Sequence, residues 1–392
     1  MKAVALSAIL ALAAPSLAAA ESAPIKIGFL STFSGPNGGL GQEEWDGFNA
    51  ALKVMGGALG GRPVELVKYD DQAKPDIARQ ATDKMVESDH VNILTGIIFS
   101  NVMLAVAKPA LDGGVFVISS NAGPSQYAGK QCNAHYFGVA FQNEAGAEVM
   151  GVALNAKGVK RVYLMAPNYP AGKDFLAGFK RTYKGEVVGE VYTTFGQLDY
   201  AAEIAQLRAA KPEALFFFYP GGMGVNFIKQ YGQAGLTKDV PLYAVSYSVD
   251  QTVLPAVGDA ALGAFASSSW SETWGNPQSD KFVAEFEAAN GRIPSSYAAN
   301  AYDTAMLIDA ALKSIDGKIE DKPAFQKALE TVKFQSLRGK FRFNTNHYPI
   351  QDYFMTEIVK DAKGRPIMAK RDLIAADVAD SSVGDCKMAA GN

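Results

Sequence analysis

The sequence is poor in the residues that bind metals and form cross-links. Its 392 residues include 2 cysteines, Cys132 and Cys386, and 3 histidines, His90, His135 and His347. That cysteine count excludes a disulfide-rich scaffold and a four-cysteine zinc site. Neither H-E-x-x-H nor C-x-x-C occurs, which weakens a metal-enzyme reading. No G-x-x-x-x-G-K-[ST] or G-x-S-x-G is present, so there is no phosphate-binding P-loop and no nucleophile elbow. The run Gly35-Pro36-Asn37-Gly38-Gly39-Leu40-Gly41 is rich in glycine but lacks the G-x-G-x-x-G spacing of a dinucleotide site. An excess of positive charge is missing too. Lys+Arg is 37 against 40 for Asp+Glu, and a protein that coats nucleic acid is usually basic.

What is present is ample core material, with 48% hydrophobic and 20% charged residues. The length suits two domains. At the start, Met1 and Lys2 precede an uncharged stretch that ends in Ala18-Ala19-Ala20. Pro15 and Ser16 interrupt it, so it is short for a membrane span. Residues 1–20 are therefore expected to be a signal peptide cleaved near Ala20, and the mature chain a periplasmic, soluble protein. An oxidising compartment favours pairing of Cys132 with Cys386; the alternative is two buried free thiols.

Along the rest of the chain, β-like and helical segments alternate. Strands are expected at 26–32, 63–70, 91–97, 115–120, 161–166, 186–194, 214–219 and 240–245, with a further extended run after Gly263. Helices are expected at 45–55, 75–88, 101–111, 144–157, 173–183, 200–211 and 223–234. Three more helices (278–290, 296–315 and 323–332) precede β-like runs at 339–344 and 352–359. Strands separated by helices of this length indicate βαβ units. The fold class is therefore α/β, with two doubly wound parallel-sheet lobes. The absence of a Pro/Ser/Gly linker suggests that the chain crosses between lobes more than once.

In open α/β sheets, ligands bind beyond the carboxyl ends of the strands. Those ends carry small, hydroxyl and aromatic residues. Ser100 and Asn101 precede a helix, where free backbone N–H groups favour an anion. Asn121, Ala122 and Gly123 have little bulk, so their backbone could also approach a carboxylate. Phe99, Tyr169, Tyr219 and Tyr247 offer flat apolar faces. Asp70-Asp71 reads more simply as a solvated turn than as acid–base machinery.

Several segments together resemble the periplasmic solute-binding proteins of ABC importers, of the branched-chain amino acid (Leu/Ile/Val) binding type. They are IKIGFLSTFSGPNGGLGQEEWDGFNAAL, VNILTGIIFSNVMLAVAKPALDGGVFVISSNAGPSQ, RVYLMAPNYPAGKDFLAGFK, DYAAEIAQLRAAKPEALFFFYPGGMG and YAANAYDTAMLIDAAL. The resemblance implies two lobes joined by three hinge crossovers and closing on a ligand. Lobe 1 would comprise 21–140 and 271–345, and lobe 2 residues 141–270 and 346–392. It also implies that Ser100 and the Asn121–Gly123 loop hold the ligand carboxylate, with Tyr169 and Tyr219 covering the ligand. The partner would be a membrane permease, with no cofactor, no nucleic acid and a monomeric state.

One departure from the family pattern bears on the ligand. Amino acid binders hold the ligand ammonium with an acid after the VPLYAV strand, where this chain has Ser246, and with a hydroxyl residue where it has Gly123. A buried ammonium without a carboxylate is costly. The expected ligand is therefore a carboxylate without an ammonium, of the benzoate or phenylpropanoid kind. One alternative is a branched-chain amino acid or amide binder, with Asp250 or Glu272 facing the cleft. Another is a periplasmic hydrolase using Asp70 or Asp71 with a histidine. A sensory ligand-binding domain is the third.

Overall fold

The computed structural model describes residues 23–388; the expected signal peptide lies outside them. The first sheet has six strands in the order Ala58–Leu59, Arg62–Asp70, Ile25–Ser31, Ile93–Thr95, Phe116–Ser119, Tyr136–Gly138. All neighbours are parallel except the Ala58–Leu59 edge. Their short apolar cores, such as the fully buried Phe116–Ser119, are what a parallel sheet covered on both faces requires. One face packs against the helices Gly38–Val54, Pro277–Asn290, Ser296–Lys313 and Lys322–Thr331, through Ile25, Ile27, Phe29, Phe48, Phe282 and Ile308.

Among the described residues the second sheet has eight strands, including the short edge strand Arg342–Phe343 that pairs antiparallel with Pro349–Lys360. Glu186–Thr193, Arg161–Pro167, Ala214–Phe217, Leu242–Val245 and Phe265–Ser268 run parallel in that spatial order. Pro349–Lys360 then pairs antiparallel with Phe265–Ser268, and Pro366–Val378 with Pro349–Lys360. The sheet is thus mixed rather than purely parallel. The chain leaves the first sheet after Gly138, returns after Ser268 and comes back before Pro349. These three crossovers make a type I periplasmic binding protein fold.

The glycine-rich run after the first strand serves packing. A Cβ on Gly41 would stand 2.2 Å from the Thr32 carbonyl, so only glycine lets this helix lie against the strand end. Asp70 and Asp71 close a turn as expected, but Asp71 is buried rather than solvated. Asp70 accepts from the Phe33 and Gln72 amides, and Asp71 from the Thr32 hydroxyl and the Ala73 amide. His135 and His347 pack on Phe116 and Phe137.

Cys132 and Cys386 are joined, closing a separation of 254 residues. The tail that carries Cys386 is also fastened by Asp380 to Asn346 and by Ser381 to Arg181. It thereby links the second sheet to the loop before Tyr136.

Candidate functional site

Between the lobes lies a nearly filled cavity of about 10 Å³, in crevices among side chains. That is about the room of one water molecule, so a larger ligand requires the lobes to part and the lining side chains to move aside. Six of the residues expected from sequence line it: Phe99, Ser100, Asn121, Ala122, Tyr169 and Tyr247. Phe141, Asn143, Phe175, Phe218, Pro220 and Tyr297 also line it and were not expected. None of the lining residues is Asp, Glu, Lys, Arg or His.

The positive end of the site comes from backbone rather than cations. The helices Ser100–Asp112, Pro170–Thr182 and Gly221–Gln233 begin at the cavity, with Phe99, Tyr169 and Pro220 as their N-caps. None of these N-caps makes a side-chain capping bond. The first amides of a helix have no intrahelical acceptor, so these ends carry partial positive charge for an anion, although the Gly222 amide of the third helix is taken by Asn37 Oδ1. By contrast, Gln142 and Ser295 do cap their helices, Asn143–Ala156 and Ser296–Lys313, with side-chain oxygens.

Ser100 is oriented by its neighbours. Its Oγ accepts from Asn143 Nδ2 at 3.1 Å, and the same amide donates to Asp174 Oδ2 at 2.8 Å. With Oγ already serving as an acceptor, its own hydrogen is free to be donated. Asp174 lies behind this layer, held by the Ser125 amide and hydroxyl at 3.1 and 2.9 Å. Burial pushes its carboxyl above the usual range.

The lobes meet around the cavity. Asn300 Nδ2 donates to Tyr247 Oη at 2.9 Å, the Ser296 amide to Asp250 Oδ2 at 3.1 Å, and the Gly222 amide to Asn37 Oδ1 at 3.3 Å. Phe99 packs edge-on against Tyr169 and Phe195, with centroids 6.1 and 5.2 Å apart. These contacts describe a closed arrangement.

Four expected residues take other places. Tyr219 is fully buried on the far side of the second sheet, with Tyr200 and Phe227, and its hydroxyl accepts from Thr193 at 3.1 Å. Strand alternation explains this: Phe216 and Phe218 face one side, Phe217 and Tyr219 the other. Phe218 and Pro220 therefore line the cavity in its place. Gly123 is pressed against the hinge. A Cβ there would lie 2.1 Å from the Phe141 carbonyl, and its own carbonyl accepts the Asn143 amide. Asn101 lies in the first turn of its helix, outside the lining. Ser246 opens a buried turn, Ser246–Ser248, behind Tyr247. The Ala122 amide, expected to face a carboxylate, donates instead to the Ile97 carbonyl at 3.1 Å.

The candidate acids are spoken for. Asp250 accepts from the Thr252 amide and hydroxyl and the Ser296 amide, and burial pushes its carboxyl up to about 7. Glu272 accepts from Gln251 and the Met368 amide, away from the cavity. Glu44 sits behind the 120–121 loop, bonded to Ser31 and Ser120, and burial pushes it up to about 8.

Residues 24–364 match the family model described as periplasmic binding protein. A curated relative, Leu/Ile/Val-binding protein homolog 6 of Brucella melitensis, is 27% identical over 93% of this chain and 95% of its own. Among solved structures, an ABC transporter solute-binding protein from R. palustris in complex with benzoate superposes with a TM-score of 0.88. It is 29% identical, covering 93% of this chain and all of that one (100%). Another, from Rhodopseudomonas palustris BisB5 with 3,4-dihydroxybenzoic acid, gives 0.86 at 26% identity over 91% of this chain and 99% of its own.

Proposed function

This chain belongs to the periplasmic binding protein family, and on that premise we propose that it captures an aromatic carboxylate and presents it to an ABC permease. The observation that carries the ligand class is the chemistry of the cavity wall. The N-termini of Ser100–Asp112 and Pro170–Thr182 and the free Ser100 hydroxyl supply donors for a carboxylate, and no lining residue is acidic. An α-ammonium would be buried there without a counter-charge, which is costly. Phe99, Phe141, Phe175, Tyr169, Phe218 and Tyr297 supply flat faces for a ring. Two structural relatives hold benzoate and a dihydroxybenzoate, which supports this reading. The sequence relative named as a Leu/Ile/Val-binding homologue supports the second reading, a branched-chain amino acid binder. That reading needs an acid at the cavity wall, and Asp250 and Glu272 are engaged elsewhere.

Function then follows from closure. A ligand that contacts both lobes shifts the population toward the closed form, and the joined surface of the two lobes is what a permease would read. No helix of the described residues is long and apolar enough to cross a membrane, so the membrane step falls to the permease.

A thermal-shift screen of benzoates, phenylpropanoates and branched-chain amino acids tests the proposal. A ligand at 100 times its Kd stabilises by about 2.7 kcal/mol. Aromatic acids should raise Tm and amino acids should not. A response confined to leucine, isoleucine or valine overturns the aromatic-acid reading.

A further inference from the structure

We propose that Asn121 selects, among aromatic acids, those that carry a ring hydroxyl. The inference rests on the aromatic-carboxylate reading and deepens it. Asn121 lines the cavity and is only 5% exposed. Its amide orientation is fixed by its surroundings. Nδ2 donates to the Ile98 carbonyl at 2.8 Å, and turning the amide over would set Oδ1 against that carbonyl oxygen. Oδ1 is thus turned away from that carbonyl, and it is buried with no hydrogen-bond partner among the described residues.

A buried acceptor left unpaired costs free energy. A ligand that fills the cavity with C–H groups alone would also keep water from reaching Oδ1. A ligand carrying an O–H at that point pairs it. The requirement is for a neutral donor. An ammonium would bring a full charge into a wall that holds no carboxylate. A carboxylate has no hydrogen to give. A phenolic O–H meets the requirement, and a neutral ring amine is the nearest substitute. Sites built to bond a ligand hydroxyl reject the analogue lacking it far more strongly than apolar pockets reject a missing methylene.

The test is titration calorimetry of the mature protein with benzoate, its 2-, 3- and 4-hydroxy isomers, 4-aminobenzoate and leucine. At least one hydroxybenzoate should bind about 5- to 150-fold more tightly than benzoate, the range expected for pairing one buried acceptor. In Asn121→Leu, which keeps the volume and removes the acceptor, that preference should collapse, with benzoate affected least. Should this variant fold poorly, the wild-type isomer series still decides. Benzoate binding as tightly as every isomer overturns the role of Asn121 and leaves the aromatic-acid reading standing. A hydroxyl preference that survives in a folded Asn121→Leu also overturns it. Binding of leucine with no aromatic acid bound overturns both.

Discussion

Tyr247→Phe removes one hydroxyl from the seam between the lobes and leaves the ring in place. Tyr247 follows the strand Leu242–Val245 in the second lobe, and Asn300 lies on the helix Ser296–Lys313 packed against the first. Their bond, 2.9 Å between two buried side chains, exists only while the lobes are together. Without it, the Asn300 amide is buried with an unpaired donor, at a cost of about 1–3 kcal/mol to the closed form. Phenylalanine keeps the stack on Phe141 (4.4 Å) and the edge contact with Tyr297 (5.3 Å). Because ligand affinity includes the free energy of closure, Kd should rise about 5- to 150-fold for any bound acid. The assay is calorimetry on Tyr247→Phe, Asn300→Ala and the double variant. If the pair acts through its mutual bond, the double variant is weaker than Tyr247→Phe by no more than about twofold. An unchanged Kd in both single variants, or strictly additive losses, refutes the reasoning.

Three further outcomes follow from the same structure. Gly123→Ala places a methyl 2.1 Å from the Phe141 carbonyl; it should cost about 1–3 kcal/mol of stability, as overpacking does, and weaken ligand binding, seen in urea melts and calorimetry. Cys132→Ser with Cys386→Ser opens the linkage across 254 residues and should cost about 2–5 kcal/mol by chemical denaturation; no change would mean that the tail's hydrogen bonds suffice. Stability should also depend on pH in a defined direction. Burial raises Glu44 to about 8 and Asp250 and Glu272 to about 7. In this window the native state holds more protons than the unfolded chain, so stability falls as pH rises from about 6.5 to 8. Buried His347, held below its ordinary value, opposes this trend until the unfolded histidine has lost its proton, at about pH 7. Tm against pH checks it, and Asp250→Asn should flatten the slope.

The periodicity of the sequence was enough to place the βαβ units, because buried parallel strands read as apolar runs between amphipathic helices. It failed where tertiary context decides. Pro366–Val378 carries Lys370, Arg371 and Asp372 in its middle and shows no clean alternation; it is a strand because Pro349–Lys360 pairs with it. The helix Gly38–Val54 begins seven residues before Trp45, since three of its first four residues are glycine and Leu40 alone gives no helical periodicity. For the site, Ser100, Asn121, Tyr169 and Tyr247 were legible as strand-end residues. Tyr219 was misread by one step, because the face of a residue beyond the strand end depends on the register. Tyr297 and Asn143 come from first turns of helices beside the crossovers and looked like ordinary helix positions. The Ser295-Ser296 pair, a helix N-cap signal, was the available clue to Tyr297.

The central claim is that the cavity receives a carboxylate and refuses an α-ammonium. Its most direct test is a calorimetric comparison of 3-phenylpropanoate with L-phenylalanine, which share a skeleton and differ by the ammonium, with benzoate as the smaller reference. The account predicts tighter binding of the acid lacking the ammonium. L-phenylalanine binding as tightly as 3-phenylpropanoate, or more tightly, would contradict it.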